Sequence, residues 1–105
     1  MKTPSIHFLI DNNRLIIQGE LTFSTTPLLF KEGRTWMRQA TSDVLTIDLD
    51  AVTQTDSAAL ALLIEWIRAA RQENKQITFL NIPQQLKKLA ETSHTEGLLK
   101  GDLSL

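Results

Sequence analysis

Residues 43–64, DVLTIDLDAVTQTDSAALALLI, pass from a short apolar run through polar positions into a helix that is apolar around most of its circumference. Val44, Leu45, Ile47 and Leu49, closed by Asp48 and Asp50, have the length and composition of a strand covered on both faces, which predicts a central place in a sheet. From Ser57 to about Asn74, the i, i+3, i+4, i+7 spacing of Leu60, Leu63, Ile64, Ile67 and Ala70 predicts a helix with one buried stripe. Asp56 or Ser57 is the expected N-cap, whose oxygen accepts from an unpaired first-turn N–H, an interaction worth ~1 kcal/mol over alanine. Turned at ~100° per residue, the helix carries a second apolar stripe of Ala59, Leu62, Trp66 and Ala69, leaving Glu65, Arg68 and Gln72 as its polar face. A flank of that kind has two readings. Either it is an accessible docking surface for another protein, or Trp66 packs beneath a neighbouring helix of its own domain.

The remaining segments supply the partners for that unit. Ser5–Ile10 and Arg14–Leu21 read as a hairpin around Asp11-Asn12-Asn13, residues suited to the positive φ of tight turns. Ser24-Thr25-Thr26-Pro27 then offers a hydroxyl N-cap and a first-turn proline for a helix to about Ala40, with Leu29, Phe30, Gly33, Trp36, Met37 and Ala40 on its apolar side. Gly33 costs about 1 kcal/mol of helix propensity relative to alanine and marks an expected close helix-to-sheet contact. Gln76–Leu80 alternates as a further strand, and Pro83 to Thr92 forms a last helix with Leu86 and Leu89 inward. The tail from Ser93 to Leu105 is compatible with a short strand, a helical turn or a loose end. The order β, β, α, β, α, β, α calls for a single α/β domain over residues 1–105: a mixed four- to five-stranded sheet with an N-terminal hairpin, parallel βαβ units and three or more helices. Sites on such sheets lie beyond the carboxyl ends of the strands, where the Asp50–Ser57 loop is expected.

Charge and chemistry narrow the function. Eleven basic and twelve acidic side chains in 105 residues give a net charge near zero and no electrostatic footprint for nucleic acid. The absence of cysteine removes thiolate metal sites and disulfides and is compatible with a reducing cytoplasm. The opening MKTPSIHFLIDNNR lacks a leader-like apolar core, and no segment approaches the ~20 apolar residues of a membrane span, so a cytoplasmic chain without direct membrane insertion is expected. His7 and His94 have no i, i+4 partner, and Asp48, Asp50 and Asp56 are acids near a strand end rather than a ligand set. The four glycines are scattered, without a phosphate loop. We therefore expect no metal, no cofactor and no enzymatic activity.

With the element order and TQTDSAALALL taken together, nearly the whole chain resembles a STAS domain, the fold shared by anti-sigma-factor antagonists and the cytoplasmic tails of sulfate transporters. In the antagonists the family pattern is Asp-Ser-Ser/Thr-Gly, with the second hydroxyl phosphorylated; here Ala58 and Ala59 occupy the last two positions. The chain is more similar to the small STAS subunits of Mla-type phospholipid-transport ABC complexes, which carry one hydroxyl residue after the acid, then small residues and an ALALL-like helix. Ser57 takes that hydroxyl position. The resemblance implies a non-catalytic subunit that binds and supports an ABC ATPase, and through it a membrane complex for outer-membrane lipid asymmetry. Thr55, Asp56, Ser57, Ala58, Ala59, Leu62, Trp66 and Ala69 are the expected partner-binding residues. The alternative is a signalling antagonist under phosphorylation control, with Ser57 as a minor candidate for modification. Self-association of the isolated domain through the same flank is left open.

Overall fold

The computed structural model describes residues 6–11, 13–95 and 97. Strand β1 (Ile6–Asp11) and strand β2 (Arg14–Leu21) form the expected antiparallel hairpin, with Phe8 opposite Ile17 and Asp11 opposite Arg14. Asn12 of the expected turn, Ser5 of the expected first strand, and Glu96 and the tail beyond Gly97 lie outside the described residues. Helix α1 (Thr26–Gln39), strand β3 (Val44–Thr55), helix α2 (Ser57–Gln72), strand β4 (Gln76–Leu80) and helix α3 (Gln84–Thr92) complete the chain. The sheet order is β1-β2-β3-β4, with β3 parallel to both of its neighbours. Four described strands and three described helices match the expected STAS architecture.

Burial along β3 corrects one expectation. Leu45, Ile47 and Leu49 are buried, but the residues between them are not: Val44 is half exposed, Thr46 and Asp48 are partly covered, and Asp50 is exposed. The strand is central yet covered on one face only. The cause is handedness: β2-α1-β3 and β3-α2-β4 both advance in the same direction across the sheet, so two right-handed crossovers place both helices on the same side. Leu15, Ile47 and Phe79 form one row of that covered face, and Leu45 and Ile77 another.

The open face carries a polar cluster at Asp48. Its carboxylate accepts from the Asn81 side-chain amide at 3.0 Å and the Asp50 backbone N–H at 3.0 Å, with the Arg14 guanidinium 4.0 Å away. The Asn81 hydrogen bond holds the Asp48 carboxyl below its ordinary pKa, against a desolvation that pushes the other way. A depressed folded-state pKa stabilises the fold above the unfolded value of about 3.9, and that contribution is lost as pH falls through the folded value. Urea titrations between about pH 6 and pH 3 should therefore show a smaller acid-induced loss of stability for Asp48→Asn than for the parent chain.

Two buried stripes run along α2. Leu60, Leu63 and Ile67 are buried as the periodicity predicts, and Ala59, Leu62, Trp66 and Ala69 are buried as well, Trp66 with no exposed surface. Of the two readings of the second stripe, packing beneath a neighbouring helix is the one that holds: α1 lies over it, and Trp66 and Ala69 are not accessible to a partner. Gly33 provides the fit. A Cβ added at Gly33 would stand 2.4 Å from Trp66 Nε1 and 2.6 Å from Cε2, so the close approach is between two helices rather than between helix and sheet. Gly33→Ala should gain about 1 kcal/mol in helix propensity and lose about 1–3 kcal/mol to overpacking against a fully buried ring. A net loss of stability in urea unfolding checks this, and a stabilised variant would contradict it.

Candidate functional site

The carboxyl ends of β2 and β3 are level, Leu21 pairing with Thr55, and this brings the β2–α1 loop alongside the start of α2. Positions 50–55, expected as loop, continue β3 instead, so that Asp56 alone separates the strand from the helix. Asp56 adopts an extended conformation and is the N-cap: its Oδ1 accepts from the Ala58 N–H at 2.9 Å. Its Oδ2 accepts from the Phe23 N–H at 3.0 Å, across 33 residues of sequence. One carboxylate therefore ties two loops together.

The β2–α1 loop is further held by Thr25. Rather than capping α1, its buried hydroxyl donates to the carbonyls of Glu20 and Thr22, at 2.9 and 3.1 Å, and accepts from the Thr22 N–H at 3.0 Å. The result is that Phe23 points outward with 74 % of its surface exposed, the most exposed large apolar side chain among the described residues. Leu28, in the first turn of α1, is half exposed. Between the amino-terminal turns of α1 and α2 lies an open, largely apolar groove of about 240 Å³, with Pro27 and Phe30 on one wall, Ala58 and Ala61 on the other, Leu62 beneath and Glu65 at one end.

The expected partner-binding residues divide into two groups. Asp56, Ser57 and Ala58 lie at the helix start, Ser57 exposed and the other two partly covered. Thr55 is buried and donates its hydroxyl to Gln85 Oε1 at 2.9 Å, which ties the end of β3 to α3. Ala59, Leu62, Trp66 and Ala69 are core, and of these only Leu62 reaches the groove, as its floor. Phe23, Pro27, Phe30 and Ala61 were not among the expected residues. The one sequence signal for them is Phe23 itself, a lone aromatic within the polar run Thr22–Thr26 directly after a strand.

Among the described residues no group of three or more histidine and carboxylate side chains is gathered as a metal site, and no helix is long and apolar enough to cross a membrane. The groove offers apolar surface beside a hydroxyl and a carboxylate. That is chemistry for recognising a protein surface.

Comparison with known proteins agrees with the architecture. A chain of the Acinetobacter MlaFEDB complex in its ATP-bound Vtrans2 conformation is 26 % identical, with a TM-score of 0.72 over 84 % of this chain and 92 % of that one. The phosphorylated form of the Bacillus cell-fate determinant SpoIIAA superposes with a TM-score of 0.66 at 15 % identity, over 91 % of this chain and 88 % of that one. An anti-sigma-factor antagonist structure from Thermotoga maritima gives 0.70 at 12 % identity, over 90 % and 83 %. At those last identities the likeness is one of fold. No curated protein matches the sequence. The family model described as MlaB, STAS domain matches residues 10–100, from within the hairpin to beyond α3. The chain belongs to the MlaB-like STAS domain family.

Proposed function

We propose that this chain is a non-catalytic cytoplasmic subunit of an ABC-type phospholipid transporter. It docks on the transporter's ATPase through the groove between the first turns of α1 and α2, is peripheral to the membrane through that partner, and supports a system that maintains outer-membrane lipid asymmetry. The observation that carries this reading is the open apolar groove lined by Pro27, Phe30, Ala58, Ala61 and Leu62, with the exposed Phe23 on the loop whose backbone bonds Asp56 at the start of α2. Apolar side chains in such a patch supply affinity and the polar helix start fixes register. The likeness to a chain of the MlaFEDB complex supports an ATP-driven partner.

Ala58 favours this reading over a phosphorylation-switched antagonist, because it stands where the antagonist pattern places the modified hydroxyl. Affinity purification of the tagged protein from its own host under mild conditions tests the choice. We expect a Walker-motif ABC ATPase as the main co-purifying chain, with Ser57 unmodified. Recovery of a serine kinase with phosphorylated Ser57 overturns the proposal in favour of signalling.

A further inference from the structure

Among the described residues strand β1, Ile6-His7-Phe8-Leu9-Ile10-Asp11, is an edge of the sheet, and Asp11 at its end is its one carboxylate or ammonium side chain. Natural edge strands are protected by proline, by lysine, by bulges or by short length. This strand has no proline, no lysine and an unbroken register over its whole pairing with β2. Leu9 and Ile10, on opposite faces, are 53 % and 56 % exposed. An unpaired row of backbone N–H and C=O groups flanked by exposed apolar side chains is a template for a further strand.

We propose that β1 pairs antiparallel with β1 of a second copy of this chain, about a two-fold axis at Leu9, joining two sheets into one. Pairing a strand with its own copy restricts the register. Residues whose backbone groups point outward alternate along the strand, so only registers whose paired residue numbers add to an even sum bring free N–H and C=O groups face to face. Among these, centring on Phe8 sets His7 opposite Leu9, a charge-capable ring against an apolar chain. Centring on Leu9 matches every described side chain instead. Leu9 meets Leu9 and, on the same face, each His7 meets the other copy's Asp11; on the opposite face each Phe8 meets Ile10. Cross-strand apolar and polar pairs of this kind stabilise antiparallel sheets. A two-fold interface requires such self-complementarity of one patch. The strand edge is distinct from the α1–α2 groove, so this inference does not depend on the proposed ATPase partner.

The chain's lack of cysteine supplies a direct test. A residue on the two-fold faces its own copy, and Cα separations of about 4.5–5.5 Å across an antiparallel pair fall within the range a disulfide spans. Under mild oxidation of the full chain, Leu9→Cys should give a disulfide-linked dimer at least about tenfold faster than Val44→Cys, which is equally exposed but lies on β3. Sedimentation equilibrium from low micromolar to near-millimolar concentration should show the parent chain dimerising. Leu9→Lys, which sets like charges opposite each other, should raise the dissociation constant about tenfold while leaving the thermal unfolding of the monomer unchanged. The proposal is overturned if the parent chain stays monomeric throughout, if the two cysteine variants cross-link at equal rates, or if Leu9→Lys dimerises as the parent does.

Discussion

Trp66→Ala is expected to lower the stability of the domain by about 3–5 kcal/mol, the range for truncating a large buried aromatic side chain. Domains of this size are stable by about 5–15 kcal/mol in total, so the variant should lose a large share of its margin and melt roughly 15–25 °C earlier. Trp66 has no exposed surface, and Gly33 on α1 is shaped around its indole edge, so the cavity has little freedom to collapse. Trp66→Phe provides the contrast. It keeps most of the apolar volume and deletes an indole N–H that finds no acceptor among the described residues, and therefore should cost much less. Circular-dichroism melts of the three proteins check the order. If Trp66→Ala left the melting temperature unchanged and impaired only partner binding, the packing of α1 on α2 described above would be wrong.

The groove gives the opposite pattern, a large loss of binding without loss of fold. Phe23→Glu and Ala61→Arg change exposed positions: the Phe23 N–H that bonds Asp56 belongs to the backbone and survives, and arginine is a good helix former. If the groove docks an ATPase, a charge at Ala61 in its apolar wall should weaken the complex about a hundredfold, as expected for a hot-spot position, and one at Phe23 on the adjoining loop should weaken it as well. Pull-down titration with the co-purified ATPase, alongside a melt of each variant, measures both quantities. Undiminished binding by both variants would remove the groove from the interface.

Element order could be read from the chain because the signals were local: the Asp11-Asn12-Asn13 turn residues between the first two strands, alternation in β4, i, i+3, i+4 spacing in α2, and Pro27 and Pro83 at helix starts. The family resemblance rested on a contiguous segment and was equally accessible. What escaped was pairing between distant segments. The apolar stripe of Ala59, Leu62, Trp66 and Ala69 was visible, but whether water or another helix covered it depended on Gly33, whose role appears only when α1 and α2 are brought together. The two-sided burial expected for β3 failed for a related reason, since Thr46 and Asp48 alternate with the buried residues and the crossovers lie on one side. At the candidate site, the grouping of Asp56, Ser57 and Ala58 at a helix start was legible from their place before an apolar helix. Pro27, Phe30 and Ala61 could not be singled out as candidates, because such residues acquire meaning only from the groove between the two helices.

The double engagement of Asp56 bears on how quickly and how selectively the groove can be occupied. A flexible loop carrying Phe23 would have to be immobilised during each encounter, and that ordering would subtract from affinity. With one carboxylate bonded to both the β2–α1 loop and the first turn of α2, the loop is fixed in advance, and docking of the proposed partner at this site becomes the meeting of two rigid shapes. The same clamp makes the groove selective, because a partner whose contour differs finds no loop free to adjust. If a partner docks here, Asp56 acts on recognition through entropy as well as through the helix start that fixes register.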